Sequence, residues 1–126
     1  MTLAGRLPDA ERDALYARAS IFALATRYEG YGLVFDEALA WGLPIVSCAT
    51  GAVPETVPSE AGMLVPVGND AAVADALRTL LTDDAERASR AAASAAAGRD
   101  LPSWLDTCAV AQRVLDSLEA RKSPPT

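Results

Sequence analysis

Three short apolar runs separated by helix-forming segments are the feature that most constrains the fold of this chain of 126 residues. The runs cover residues 20–25, 44–48 and 62–67, and none alternates with polar side chains. Such runs are typical of strands buried on both faces, as in parallel sheets. The alternation of helices and strands therefore predicts an α/β layer fold with a parallel sheet. Helices are predicted over these segments: residues 9–19, 33–41, 70–81, 84–97 and from about 103.

The composition excludes several classes of function. With 17 acidic and 11 basic side chains, the net charge of -6 argues against nucleic acid or an anionic membrane surface as the main partner. The absence of histidine excludes histidine triads and histidine metal sites within the chain. Cys48 and Cys108 have no metal-type spacing, and we expect both to be reduced. No apolar run could span a bilayer and no signal peptide is recognised, so we expect a cytoplasmic protein.

Residues 27–37 read RYEGYGLVFDE and lie between the first predicted strand and the next helix. In open parallel sheets, ligands bind at the carboxyl ends of the strands, where helix N-termini are presented. Gly30 and Gly32 allow the backbone to approach a ligand closely or to adopt positive φ. The first amides of the helix that starts at Leu33 are unpaired within the helix, so this position predicts an anion site, with phosphate as the expected anion.

Two carboxylates flank these amides. Glu29 lies in the loop, and Glu37 lies roughly 6 Å along the helix axis from Leu33, with its side chain leaning back towards the N-terminus. A carboxylate accepts hydrogen bonds from a vicinal diol, so the pattern suggests a phosphate between two polyhydroxylated rings. A second interpretation stays open on spacing alone, since acids also stabilise a helix start and glycines also serve turn geometry.

The same stretch resembles a known motif, because residues 29–37 match the E-x7-E pattern of GT-B glycosyltransferases, specifically the retaining family 4 (glycosyl transferases group 1). The resemblance runs in order from about residue 7 to residue 81. The neighbouring matches are residues 16–26 to Y-x-x-A-D-x-F-x-x-P-S, residues 38–46 to E-A-x-A-x-G-x-P-V-V, residues 51–55 to G-G-x-P-E, and residues 62–65 to x-G-x-L-V.

This resemblance implies a fold and an activity. Residues 1–121 would form the second half of a GT-B C-terminal domain, an α/β, Rossmann-like parallel sheet of about three strands with flanking helices, and residues 122–126 would be a disordered tail. The full-length protein would be a hexosyltransferase that uses a nucleotide-diphosphate sugar as donor, with retention at the sugar. The sequence identifies neither the base, the sugar nor the acceptor.

The resemblance also assigns roles to individual residues. Glu29 would be the catalytic-site carboxylate that contacts hydroxyls of the donor sugar, and Glu37 would hold the ribose hydroxyls of the nucleotide. No metal or other cofactor is expected, because helix amides and cationic side chains neutralise the leaving diphosphate. The amides that would face the diphosphate and the nearby sugar belong to Gly30, Tyr31, Gly32 and Leu33.

Several residues depart from the family pattern or have two interpretations. Thr50 stands where the family often has a glycine, so we expect its loop to lie less close to a ligand. Tyr31 is the better candidate for the sugar site, and Tyr28 is expected to pack. Asp36 lies about 100° around the helix from Glu37 and is expected to be solvated. Trp104 is expected to be a packing residue rather than a sugar platform.

A complete enzyme of this type has two Rossmann-like domains that face a cleft. We therefore expect this chain alone to be inactive and to require an N-terminal domain or a partner chain. The outer edge of the strand at residues 20–25 would be apolar and unpaired, which predicts a homodimer. The alternative is a stand-alone, non-catalytic module for nucleotide-sugar binding or assembly. An unrelated dinucleotide-binding domain is disfavoured, because no G-x-G-x-x-G follows the first strand.

Overall fold

A computed structural model describes residues 1–122 as a three-stranded parallel sheet with helices packed on both faces. The strands at residues 22–24, 45–48 and 62–65 lie in that order in the sheet, and Phe22 and Gly62 both align with Ile45 of the central strand. The elements are α1 (Asp9–Arg18), β1 (Phe22–Leu24), α2 (Leu33–Ala40), β2 (Ile45–Cys48), α3 (Val53–Thr56), β3 (Gly62–Val65), α4 (Asp70–Thr82), α5 (Asp84–Arg99) and α6 (Trp104–Lys122).

The three strands differ in burial. All four residues of β2 are buried, as the sequence predicts, because this strand has a partner on each side and helices above and below. The prediction that residues 20–25 form a fully buried strand is wrong: β1 has three residues, two half-buried and one, Ala23, exposed. Its outer edge pairs with no other strand among residues 1–122, so solvent reaches it from that side.

One face of the sheet carries the larger core. Phe35 and Leu39 of α2 pack there against Ile45 of β2. The alanine-rich helix α5 packs on α2, and the buried Ser94 hydroxyl donates a hydrogen bond of 2.7 Å to the carbonyl of Leu43. The other members of this cluster come from α2, α3 and the turn before β3: Ala38, Val53, Val57 and Ala61.

The opposite face is covered by α4, whose Ala76 and Leu80 pack against Val46 of β2. Leu81 is also predicted on this apolar face, but it is 65% exposed, since it lies about 100° around the helix from Leu80. The predicted cap Asp70 is instead the first helical residue of α4. The side chain of Asn69 caps this helix by accepting a hydrogen bond of 3.0 Å from the amide of Ala72.

The predicted cap of α1 is wrong for a similar reason. Pro8 occupies the cap position without a side-chain hydrogen bond, and Asp9 is the first helical residue. The Asp9 carboxylate accepts a hydrogen bond of 3.0 Å from Arg12, one turn further along the helix.

Helix α6 extends from this body with every residue from 104 to 121 exposed. Trp104, predicted to pack, is 82% exposed. Lys122, which the sequence assigns to the tail, ends α6, and the rest of the predicted tail lies outside the described residues. Among residues 1–122, no helix is both long enough and apolar enough to cross a membrane.

Candidate functional site

The loop between β1 and α2 carries the predicted site, and its geometry is fixed by a glycine. Gly32 caps α2 with φ of 77°. A Cβ atom at this position would lie 2.8 Å from Cδ2 of Phe35, so a larger residue would be excluded by space as well as by conformation. The carbonyl of Gly32 accepts a hydrogen bond of 2.9 Å from the amide of Phe35, whose side chain is fully buried. The start of α2 is therefore anchored in the core.

Backbone donors are concentrated at this helix start. The four predicted amides find no hydrogen-bond acceptor among residues 1–122, and neither does the amide of Val34. Two of the four precede the cap of α2, and the other two belong to a helix start that no side chain caps. Gly30 is exposed, and Tyr31 and Leu33 are 69% and 66% exposed, whereas Gly32 is buried, so three of the four donors belong to exposed residues. Together with the positive end of the α2 dipole, they form a surface suited to an anion. The four amides are those of the predicted set: Gly30, Tyr31, Gly32 and Leu33.

Glu29 is held in place by the loop that follows β2. Its carbonyl accepts a hydrogen bond of 3.0 Å from the amide of Ala52. Gly51, with φ of 54°, lies so close that a Cβ atom there would overlap the carbonyl oxygen of Glu29. The hydroxyl of Thr50 donates a hydrogen bond of 3.1 Å to the carbonyl of Arg27. Two loops from neighbouring strand ends thus support each other, a role for Thr50 that the sequence does not predict.

Glu37 is half-buried on the side of α2 that faces α1. Its Oε2 accepts a hydrogen bond of 3.1 Å from the hydroxyl of Tyr16. Neither Oε1 of Glu37 nor the carboxylate of Glu29 has a hydrogen-bond or ion-pair partner within the described part of the chain. Tyr16 is absent from the predicted site residues, although an aromatic residue with a polar tip near the end of α1 was the available signal.

Burial changes the ionisation of two groups near the site. It raises the pKa of Tyr16, with the hydrogen bond to Glu37 acting in the same direction. Asp36 is predicted to be solvated, but it is half-buried, and this burial raises its pKa. Tyr28 is predicted to pack, but it is 78% exposed because its loop lies on the surface.

The predicted site residues line neither of two concavities formed by the described residues. A concavity of about 440 Å³ lies instead near the amino ends of β1 and β2, where Trp41, Pro44 and Arg87 line it, and it contains none of the predicted site residues. Within residues 1–122, no three side chains of the metal-binding types come together. The candidate site therefore consists of the amides around the start of α2, with Glu29 before them and Glu37 after them in the chain.

Comparison with known proteins decides the family. The model of the family described as glycosyl transferases group 1 matches residues 1–83. This chain belongs to that family. The group 1 glycosyltransferase match covers all three strands, the candidate site and the whole of α4. The predicted membership of glycosyl transferases group 1 is thereby confirmed. The assignment to family 4, the E-x7-E motif and the individual roles of the site residues stay predictions.

Curated relatives of this group 1 chain carry glycosyltransferase names. A D-inositol 3-phosphate glycosyltransferase of Corynebacterium glutamicum (strain R) is 42% identical over 81 residues, which cover 64% of this chain and 19% of that protein. A GDP-mannose-dependent alpha-(1-6)-phosphatidylinositol monomannoside mannosyltransferase of Mycobacterium tuberculosis is 37% identical over 108 residues, covering 79% of this chain and 27% of the relative.

A solved structure confirms the fold class. Sucrose-phosphate synthase from Thermosynechococcus elongatus superposes with a TM-score of 0.86 at 28% identity, over 96% of this chain and 31% of that one. The three-stranded parallel sheet with flanking helices therefore matches a GT-B glycosyltransferase domain. The group 1 chain spans less than a third of the length of each of these three proteins.

Proposed function

We propose that this chain is the second half of the C-terminal, donor-binding domain of a family 4 glycosyltransferase, and that it binds a nucleotide-diphosphate sugar. One observation carries the proposal: the unpaired amides at the start of α2 lie in the chain between two glutamates whose carboxylates both keep free acceptor atoms. A diphosphate needs the donors, and the hydroxyls of a sugar and a ribose need the acceptors.

Each predicted site residue has a role in this proposal. Glu29 contacts the hydroxyls of the donor sugar at the reacting end, and Glu37 holds the ribose. The amides at the start of α2 face the diphosphate and stabilise the charge that develops on it as the sugar leaves. No metal or other cofactor is invoked. A relative whose name states that it is GDP-mannose-dependent supports a sugar nucleotide as donor.

The proposed reaction is hexosyl transfer with retention, and it requires more than this chain. The acceptor side of the cleft would come from a further domain or from a partner chain, so we expect residues 1–126 alone to be inactive in transfer. This chain matches less than a third of the length of each relative, which supports the requirement for a further domain or partner chain. A cytoplasmic location stays a prediction of the sequence.

Donor binding can be tested by ligand-observed NMR against UDP-, GDP-, ADP- and dTDP-sugars. We expect the folded chain to bind at least one of them, and Glu29→Gln and Glu37→Gln to weaken binding by about tenfold or more, because each removes a charged acceptor. Glu60→Gln is the matched control, since Glu60 is exposed and lies outside the site. A folded chain that binds none of these donors would contradict the proposal.

We further propose that the chain self-associates through the outer edge of β1. This edge has no partner strand among residues 1–122, and apolar side chains of Leu15, Ile21 and Phe22 line a concavity beside it. Ala23→Lys should favour the monomer by placing a charge on the edge, whereas Ala74→Lys on the exposed side of α4 should not. Size exclusion with light scattering measures the outcome. A monomer at high protein concentration would rule this association out.

A further inference from the structure

A hydrogen bond connects α1 to Glu37 of α2, the carboxylate that is proposed to hold the ribose. The hydroxyl of Tyr16 on α1 donates to Oε2 of Glu37 on α2 at 3.1 Å. The second oxygen, Oε1, has no partner in the described part of the chain. An ionised carboxylate only accepts hydrogen bonds, so Tyr16 and a ribose hydroxyl could both donate to Glu37, each at its own oxygen.

The tyrosine that makes this bond is itself held by two aromatic rings. The ring of Tyr16 stacks on Trp41 with a centroid distance of 6.1 Å and an interplanar angle of 6°. It also stacks on Phe22 at 6.3 Å and 11°. Trp41 follows the last residue of α2 and Phe22 begins β1, so the phenol is fixed by the elements on either side of the candidate site.

We propose that Tyr16 is a positioning residue for ribose recognition: its hydroxyl fixes one oxygen of Glu37 and leaves the other in place for the ribose diol. This inference rests on the proposed function, because it assigns a second residue to the same donor site. The structural alternative is that the hydrogen bond only attaches α1 to α2, in which case it would affect stability and not the choice of sugar in the nucleotide.

The charges around Tyr16 are consistent with this role. Burial and the bond to Glu37 raise the pKa of Tyr16, so the phenol keeps its proton at neutral pH and can donate it. The nearby cation Arg12 is paired with Asp9 at 3.0 Å and with Asp13 at 3.3 Å, both on its own helix. The hydroxyl of Tyr16 is accordingly the only hydrogen-bond donor to Glu37 from a side chain within residues 1–122.

Calorimetric titration with ribonucleotides and 2′-deoxyribonucleotides tests the inference. The probes are GDP, 2′-deoxy-GDP, UDP and 2′-deoxy-UDP, and the variants are Tyr16→Phe, Glu37→Ala and the double variant. We expect the unmodified chain to bind the ribonucleotide about tenfold more tightly than the deoxyribonucleotide, because the deoxy form lacks one of the hydroxyls that donate to the charged carboxylate. Tyr16→Phe should reduce this preference to about threefold or less, and Glu37→Ala should remove it.

The double variant and a control complete the design. If the two residues act as a unit, Tyr16→Phe should have no further effect in the Glu37→Ala background. Tyr28→Phe should change nothing, because this exposed tyrosine has no role at the site. Tyr16→Phe keeps both stacking partners, so we expect it to fold, which circular dichroism would verify.

Three outcomes would overturn the inference. In the first, Tyr16→Phe retains the full preference while Glu37→Ala loses it. In the second, Tyr16→Phe weakens the binding of ribonucleotide and deoxyribonucleotide equally. Either result would leave the proposed function standing and make the bond a structural link. In the third, a folded chain binds none of the four probes, which would overturn both proposals together.

A second measurement is independent of ligand. In a Tyr28→Phe, Tyr31→Phe background Tyr16 is the one tyrosine left of the chain's 3. Ultraviolet titration should then show a lower Tyr16 pKa after Glu37→Ala, since the accepting carboxylate favours the protonated phenol. An unchanged titration would show that the hydrogen bond is absent in solution, and the inference would fall.

Discussion

At the residue scale, Gly51 fixes the position of the loop that carries Glu29, although it is not itself one of the predicted site residues. Its backbone has φ of 54°, and the space where a Cβ would lie is occupied by the carbonyl of Glu29. The same carbonyl accepts the amide hydrogen bond of Ala52. The loop that carries Glu29 therefore keeps its position because the neighbouring loop has no side chain at residue 51.

The first prediction concerns Gly51→Ala. We expect it to reduce the free energy of unfolding by about 2 to 3 kcal/mol and to weaken nucleotide-sugar binding, because the backbone of Glu29 must move. Gly68→Ala is the matched control: its φ is also positive, at 79°, but nothing lies within 4 Å of the added methyl group. Urea unfolding and donor titration measure both effects. Equal losses in the two variants would show that backbone conformation, and not the contact with Glu29, is responsible.

The second prediction concerns the pH dependence of Asp36. Burial raises its pKa in the folded chain above the ordinary value of 3.8, so the charged form favours unfolding. This destabilisation of the folded chain by the charged carboxylate is absent below the pKa that Asp36 has in the unfolded state. It is complete above the pKa that Asp36 has in the folded state. Asp36→Asn should therefore raise the free energy of unfolding at pH 7 and give little gain at pH 3. Urea titrations at several pH values measure this, with Glu60→Gln as an exposed control, and a gain that does not change with pH would contradict the assignment.

At the scale of elements, the packing of α5 on α2 depends on small side chains. Alanine content favours a helix there, and the structure adds that the helix approaches closely. A Cβ at Gly98 would lie 2.7 Å from the carbonyl carbon of Leu39 and 2.8 Å from Cα of Ala40. The C-terminal part of α5 thus rests directly on the backbone of α2, the helix that carries the candidate site.

The third prediction is that Gly98→Ala has the opposite effect on stability to the one that helix propensity alone predicts. Gly→Ala within a helix normally stabilises by about 1 kcal/mol, but Gly98→Ala should destabilise by about 1 to 3 kcal/mol because the methyl group meets the backbone of α2. Ala96→Gly is the reference on the same helix: Ala96 is exposed, and the change should cost about 1 kcal/mol through propensity alone. Chemical denaturation compares the two. Stabilisation by Gly98→Ala would mean that the helices do not pack this closely.

At the scale of the whole molecule, α6 stands apart from the two cores. Residues 104–121 are all exposed, including Trp104 and Leu115 at 82% and 56%. Both hydrophobic clusters are built from residues that precede α6. Large exposed apolar side chains on one helix are unusual for an isolated globular unit. The stability of the sheet and its helices should then be independent of α6.

The fourth prediction follows from this separation. A chain that ends at residue 102 should unfold with a free energy within about 1 kcal/mol of the full chain, because surface residues away from the core contribute little. It should also bind donor as the full chain does. Differential scanning calorimetry and donor titration measure these properties. A loss of several kcal/mol would show that α6 packs on the body in solution.

Local patterns in the chain were enough to predict the order of elements and the location of the candidate site. Apolar runs and helix stop signals are local, so β2, β3 and α2 fall within about two residues of their predicted bounds. The E-x7-E pattern is also local, and with its neighbouring motifs it indicates the family from the amino-acid order alone. The burial of β1 was wrongly predicted, because the burial of a strand depends on which partners lie beside it.

The residues that support the predicted ones became identifiable only in the folded chain. Tyr16 lies 21 positions before Glu37 in the chain, and Gly51 lies after the next strand, so no spacing rule connects either residue to its partner. The burial of Asp36 and the exposure of Trp104 have the same origin. Periodicity tells which face of a helix a residue occupies, but the position of neighbouring elements decides whether that face is covered.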